Sequence, residues 1–390
     1  VQALVASGLE LDLRHAGLRR QRALVAAQRG RLLREESRTE AALAELELAH
    51  ALLSELAVQA PARELERDLV LVESRLAQAH ADAGEHARSL ELQRSTRERA
   101  TRLAAEAPLD AQLALDAAAA DVELAEGLNK LARYDEAESI LEAALARLRE
   151  LHAADPANQL PRQRLVEALE GLGVVARSRG ATDRAVELFE EAFELAGVRL
   201  AGSRGDELAG LQTARLANAL GDALWAVGAR EEATQTFERA LELLRDAGEV
   251  AFARQLRFSA EIGLADAAAA REGPEAVGGR LEELHERADR DRTEFPEAAW
   301  PLRNRGLAGW RLASVLEARS GDPARAAHER VALLARARSL FLEGRETAEH
   351  MAERGWLTPD EQRRDVAALF AADVARVDAA LGALGVSPDS

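Results

Sequence analysis

The chain has 390 residues, 47% of them apolar but only 3% aromatic, and its formal net charge is −17 at pH 7. That length allows two or three globular domains or one long solenoid, and the shortage of aromatics favours thin, alanine-lined helix interfaces over one thick core. The acidic balance excludes a general nucleic-acid binder, the absence of cysteine excludes disulfides and thiolate chemistry, and no apolar run reaches the eighteen residues of a membrane span.

Abundant Leu, Ala, Glu and Arg with few β-branched runs is a helical composition. A cysteine-free chain with no signal-peptide pattern points to the cytoplasm. It starts at Val1, which leads us to expect an excised fragment or a processed product with further sequence upstream.

Residues 1–60 read as long helix. Leu4, Leu11, Leu18, Val25 and Leu32 recur every seven residues, beside a weaker column of Leu9, Ala16, Ala23 and Gly30. This one-column stripe points to packing against the following repeat rather than to a free coiled coil. Between Leu13 and Arg34 stand seven arginines and no acid. The run reads as a solvated helix face, with a juxtamembrane helix beside an upstream span as the alternative. Residues 40–56 have the look of the second helix of a degenerate repeat.

The repeats proper follow. Leu76, Leu124, Leu172 and Leu220 are spaced by forty-eight residues; Leu264 comes forty-four later and Leu312 forty-eight after that. The short gap predicts the loss of one helical turn. Pro108, Pro156 and Pro296 each precede an anchor by sixteen residues, and Pro61 is one residue out of register. Proline there ends one helix and admits the next. The predicted divisions are 61–107, 108–155, 156–203, 204–247, 248–295 and 296–358, followed by a capping helix and tail over 359–390.

The unit is clearest in Leu220-Gly221, Leu224, Gly228, Ala233, Phe237 and Ala240, two helices joined by a tight turn. Leu172-Gly173, Gly180, Ala185, Phe189 and Ala192 repeat it, as do Leu124-Ala125, Leu128, Ala137, Leu141 and Ala144. The first copy is degenerate (Leu76-Ala77, Gly84, Ser89, Thr96). The fifth lacks the later Ala-aromatic-Ala, and the sixth has an insertion before a helix at about 333–351.

This signature resembles the tetratricopeptide (TPR) repeat. The resemblance covers roughly 61–355 and implies an all-α solenoid of antiparallel helix hairpins, a TPR-like superhelix of about six repeats. The long period and joints such as AADPAN are similar to TPR regions that trail bacterial serine/threonine protein kinases. No kinase motif lies in this chain, so a catalytic domain would have to precede Val1.

Chemistry is sparse. Gly171-Leu172-Gly173 with Ala176 matches a dinucleotide fingerprint as written, but it falls mid-helix, where close packing explains it. His80, Asp82, Glu85 and His86 straddle a turn and share no helix face, so solvated turn residues are the expectation there. No cofactor, metal or catalytic residue is expected.

The resemblance implies that the first helix of each repeat lines a concave groove. Family offsets then name Glu126, Asn129 and Lys130 in the second repeat, Glu170 and Arg177 in the third, Asn218, Asp222 and Trp225 in the fourth, Asp266 in the fifth and Trp310 in the sixth. Asn and Arg hold peptide backbone or carboxylate, and Trp anchors a side chain; the competing role for Trp225 and Trp310 is filling gaps between repeats. The family's carboxylate clamp is not reproduced in register. The expected function is a non-catalytic scaffold that binds a protein or peptide, as a docking or sensing region of a larger bacterial signalling protein. The alternatives are the regulatory tail of a kinase and a self-assembling structural protein.

Overall fold

The computed structural model describes residues 16–202, 207–357, 361–362 and 364–387, with backbone alone at 199, 201 and 202. Leu4, Leu11 and Arg14 lie outside the described residues. Those described form fifteen α-helices and no strand. They fall into two compact units, one ending at Ala181 and the other beginning at Thr182.

The first unit holds α1 (Ala16–Glu35), α2 (Thr39–Gln59), α3 (Arg63–Asp82), α4 (His86–Glu106), α5 (Ala111–Lys130), α6 (Tyr134–Ala154) and α7 (Gln159–Ser178). The second holds α8 (Thr182–Gly202), α9 (Glu207–Val227), α10 (Arg230–Leu243), α11 (Ala251–Glu272), α12 (Gly278–Glu294), α13 (Ala299–Ser320), α14 (Ala327–Glu353) and α15 (Val366–Ala383), with a 3-10 turn at Pro274–Ala276.

Local chemistry sets the turns that end the helices. Gly84, Ala132, Gly180 and Gly228, forty-eight residues apart, take φ of 82°, 56°, 80° and 87°. Each lets the chain close a Schellman turn, in which the next N–H donates back to a carbonyl five residues earlier. These bonds run from Glu85 to His80 (2.8 Å), Arg133 to Leu128 (2.8 Å), Ala181 to Ala176 (2.9 Å) and Ala229 to Leu224 (2.9 Å). Between hairpins, Pro61, Pro108, Pro156 and Pro296 all lie outside helices. After two of these joints a side chain caps the next helix: Asp110 accepts from the N–H groups of Gln112 and Leu113, and Asn158 from that of Leu160.

The packing is tightest where an aromatic meets glycine. Phe237 on α10 is fully buried, and a Cβ on Gly221 of α9 or Gly263 of α11 would stand 2.6 Å from its ring. Phe237 therefore touches the backbone of two neighbouring helices. Leu141 meets Gly171 of α7 in the same way at 3.1 Å, which gives the would-be nucleotide glycine a packing role.

The structure refines or corrects several expectations. First, the long helix read at the start of the chain ends at Glu35, where Glu36–Arg38 break it with Ser37 at φ 59°, and Thr39–Gln59 follows as the second helix of a hairpin, as expected for 40–56. The hairpin closes through the weaker column: Ala23, Ala26, Ala27 and Gly30 are buried, with Leu46 against Gly30, while Val25 and Leu32 are 45% and 46% exposed. Small residues bring the helix axes close enough that the leucine column is left outside.

Second, the basic run is not simply a solvated face. Arg19 pairs with Glu55, Arg20 with Asp68, Arg29 with Glu45 and Arg34 with Asp82, which ties α1 to α2 and α3. Third, the fifth repeat lacks the Ala-aromatic-Ala of its neighbours, as expected, and Leu281, His285 and Ala288, all buried, stand at the same spacing on its second helix. The five-residue turn Gly273–Val277, three longer than the turn at 228–229, sets them later than the expected register.

In the sixth repeat the expected insertion is shared between the six-residue joint at 321–326 and α14, which begins at Ala327 and runs for 27 residues. The forty-four-residue gap is also more than a lost turn: α10 has 14 residues where α4 and α6 have 21 each, and the following joint is three residues longer.

Candidate functional site

The second unit holds a cavity of about 580 Å³ between α13, α14 and α15. Leu307, Trp310, Met351 and Phe370 supply apolar wall, and Arg303, Glu361 and Arg364 stand among its polar residues. Gly344 lets α14 and the Phe370 ring of α15 come together at its side. Trp310 is half-buried against the core of the unit, donates its indole N–H to Asp373 Oδ2 at 3.0 Å, and carries the Arg311 guanidinium 4.7 Å from its ring centre. Leu307, 37% exposed, and Leu369, 58% exposed, offer apolar surface beside it. Apolar walls with a few polar groups, at this size, are the usual make-up of a ligand site.

The other named residues fall into two groups. Asn218 and Glu170 are buried. The Asn218 side-chain amide donates to the Leu256 carbonyl at 2.9 Å, so it joins α9 to α11 from within. Asp266 is ion-paired with Arg311 at 2.7 Å; burial raises its carboxyl pKa and Arg311 works against that rise.

Glu126, Lys130, Arg177 and Asp222 are exposed, and Asn129 is half-buried. Glu126, Asn129 and Lys130 share the last turns of α5. Trp225, half-buried, lies 5.2 Å from the Arg230 guanidinium across the Gly228 turn. Among the described residues no cluster of three or more His, Cys, Asp or Glu side chains is arranged to hold a metal ion. His80 is buried against Glu85, 2.7 Å from its Nδ1.

Sequence reasoning missed a set of buried acids. Glu73 and Asp121, forty-eight residues apart, are 3% and 1% exposed. Arg99 reaches Glu73, and Arg147 reaches Asp121, each from twenty-six residues further along the chain. Arg97 adds a second bond to Asp121 at 2.6 Å. Burial pushes the Glu73 carboxyl up, but His50 and Arg99 outweigh it and hold the group below the usual carboxylate range. On α7 the equivalent place holds Leu169. The twin acid–arginine spacing was the available signal.

The tetratricopeptide repeat family matches residues 214–245. No curated protein matches the chain. Among solved structures, the chain is similar to the Rap conjugation gene regulator of the plasmid pLS20, solved with a Phr peptide: 16% identity and a TM-score of 0.52, over 83% of this chain and 73% of that one. BtubC from P. vanneervenii gives 20%, 0.46, 74% and 96% for the same four quantities. A STAND signal transduction ATPase with a tetratricopeptide repeat sensor, from Pyrococcus horikoshii, gives 16%, 0.47, 93% and 50%. At these identities the likeness is one of fold, and with the repeat at 214–245 it makes the chain a TPR-like helical-repeat protein.

Proposed function

We propose that the chain is a non-catalytic interaction scaffold that takes a protein or peptide partner, and that it serves as the docking or sensing region of a larger bacterial signalling protein. One observation carries this reading: the cavity beside Trp310 pairs apolar walls with exposed leucines and a polar rim, the make-up of a surface that anchors a partner's side chain. The Rap regulator, which shares the fold, was solved with a peptide, and that supports a peptide as one form of partner. The long-repeat resemblance supports the signalling context.

The test is capture of partners from a native lysate with the chain as bait, compared with Leu307→Asp and Trp310→Ala baits of unchanged helical circular dichroism. Loss of a saturable set of partners with both variants is expected. Retention of the same set by all three baits would sink this site.

A further inference from the structure

A second cavity, of about 340 Å³, lies within the first unit and is lined mainly from α1, α3, α5 and α7, with Thr96 of α4. Arg20, Asp68, Asp116 and Arg164 line it at intervals of forty-eight residues, one from each of the four main helices. Its three arginines are all matched: Arg20 with Asp68 at 2.5 Å, Arg67 with Asp116 at 3.6 Å and Arg164 with Glu167 at 2.6 Å. Two lining carboxylates, Glu64 and Glu123, are in no ion pair among the described residues. Glu64 is exposed, and water satisfies it.

Glu123 is different. Ser74 Oγ donates to its Oε1 at 2.7 Å and Gln78 Nε2 donates to the same oxygen at 3.4 Å, so Oε2 has no hydrogen bond among the described residues. Glu123 is half-buried, and its Oε2 is not sealed off but stays open to a cation entering the cavity. Burial, with Glu126 and Glu167 close by, holds the group protonated up to about pH 7, against the pull of Ser74 and Arg164. An anionic ligand would find every arginine already occupied, whereas a cation would complete Glu123.

We propose that this cavity is a subsite for one basic side chain, an arginine or lysine of a peptide or protein partner, with the Glu123 carboxylate as its counter-ion and Ser74 and Gln78 fixing the orientation of that carboxylate. The volume, near the lower end of the roughly 300–1,000 Å³ of ligand pockets, suits a single side chain. The inference rests on the scaffold reading and adds the chemistry of what is bound.

The test uses the whole chain and four blocked pentapeptides, acetyl-Gly-Ala-Xaa-Ala-Gly-amide with Xaa as Arg, Lys, Gln or Glu, followed by saturation-transfer NMR and titration at pH 8. The Arg or Lys peptide is expected to bind and the Gln and Glu peptides are not. Glu123→Gln should weaken binding by about tenfold or more, the scale of a lost enclosed charge pair. Glu142→Gln, an exposed acid on α6 outside the cavity lining, should change it less than about twofold. Equal binding by wild type and Glu123→Gln, or no binding of either basic peptide, would overturn the proposal. Partner capture that depends on Leu307 and Trp310 would survive either outcome, so the two readings fail separately.

Discussion

Residues up to Ala181 contain one aromatic, Tyr134, whereas all eight phenylalanines and four tryptophans follow Thr182. The two units thus solve the same packing problem with different chemistry. In the first, leucine and alanine interfaces are supplemented by enclosed acids, each gripped by arginine from another helix, as at Glu73 and Asp121. In the second, rings seated on glycine take that role, as Phe237 does between Gly221 and Gly263. Ion pairs demand geometry and gain little net stability when enclosed, while rings bury large area without a desolvation cost. The difference carries over to the cavities, one lined largely by charge and the other by apolar side chains.

The largest effect that would break this comparison is expected at Phe237. Phe237→Ala leaves a cavity between two glycines whose backbones cannot easily close it, at a cost of about 3–5 kcal/mol. Chemical denaturation measures it, and a loss under about 1 kcal/mol would mean that the ring is not the keystone of its unit.

Next comes Glu123, whose carboxyl is pushed up to about 7 from an ordinary 4.5. Below the unfolded value both states are protonated and the group contributes nothing. As pH rises toward 7 the unfolded chain ionises first, so stability falls, by up to roughly 3 kcal/mol once both have ionised. Glu123→Gln should therefore raise Tm at pH 8 and leave it nearly unchanged at pH 4.5. A pH-independent effect would contradict the enclosed carboxylate.

Asp121 is expected to follow. Asp121→Ala releases Arg97 and Arg147, which are 45% and 47% exposed and can turn to water, so the cost is about 1–3 kcal/mol, below that of a sealed pair. Asp121→Leu should cost less than the alanine variant, because Leu169 fills the same place on α7. If leucine were worse than alanine, the equivalence of the two solutions would be wrong.

The smallest effect is at Ala132, held at φ 56° where the equivalent turns on either side use glycine at 84 and 180. Ala132→Gly relieves left-handed strain and should stabilise the chain by about 0.5–1 kcal/mol.

Much of the fold was legible because punctuation is local. Proline joints and left-handed turns lie in the sequence itself, and hence the helix boundaries could be read from Pro108, Pro156, Gly180 and Gly228. What failed were inferences about faces. On α1 the leucine column drew attention, yet alanine and Gly30 gave the closer contact with Leu46. In the fifth hairpin a histidine stands in the ring position, and the Gly273–Val277 turn shifted it out of register.

The site was less legible for a related reason. Family offsets treat every first helix alike, but Asn218 is turned inward to the Leu256 carbonyl, whereas Trp310 borders a cavity. Glu123 looks like any solvent-facing acid on an alanine-rich helix. Only the assembled helices show that Ser74 and Gln78 hold one of its oxygens at the wall of a cavity.

The account's central claim is that partners seat at the cavity of the second unit. Hydrogen–deuterium exchange on the whole chain, with and without a partner captured by the wild-type bait, measures this most directly. The account predicts slowed exchange over 302–310 and 366–373 on binding, with α6 unaffected. Protection confined to α6, with 302–310 exchanging as in the free chain, would contradict it.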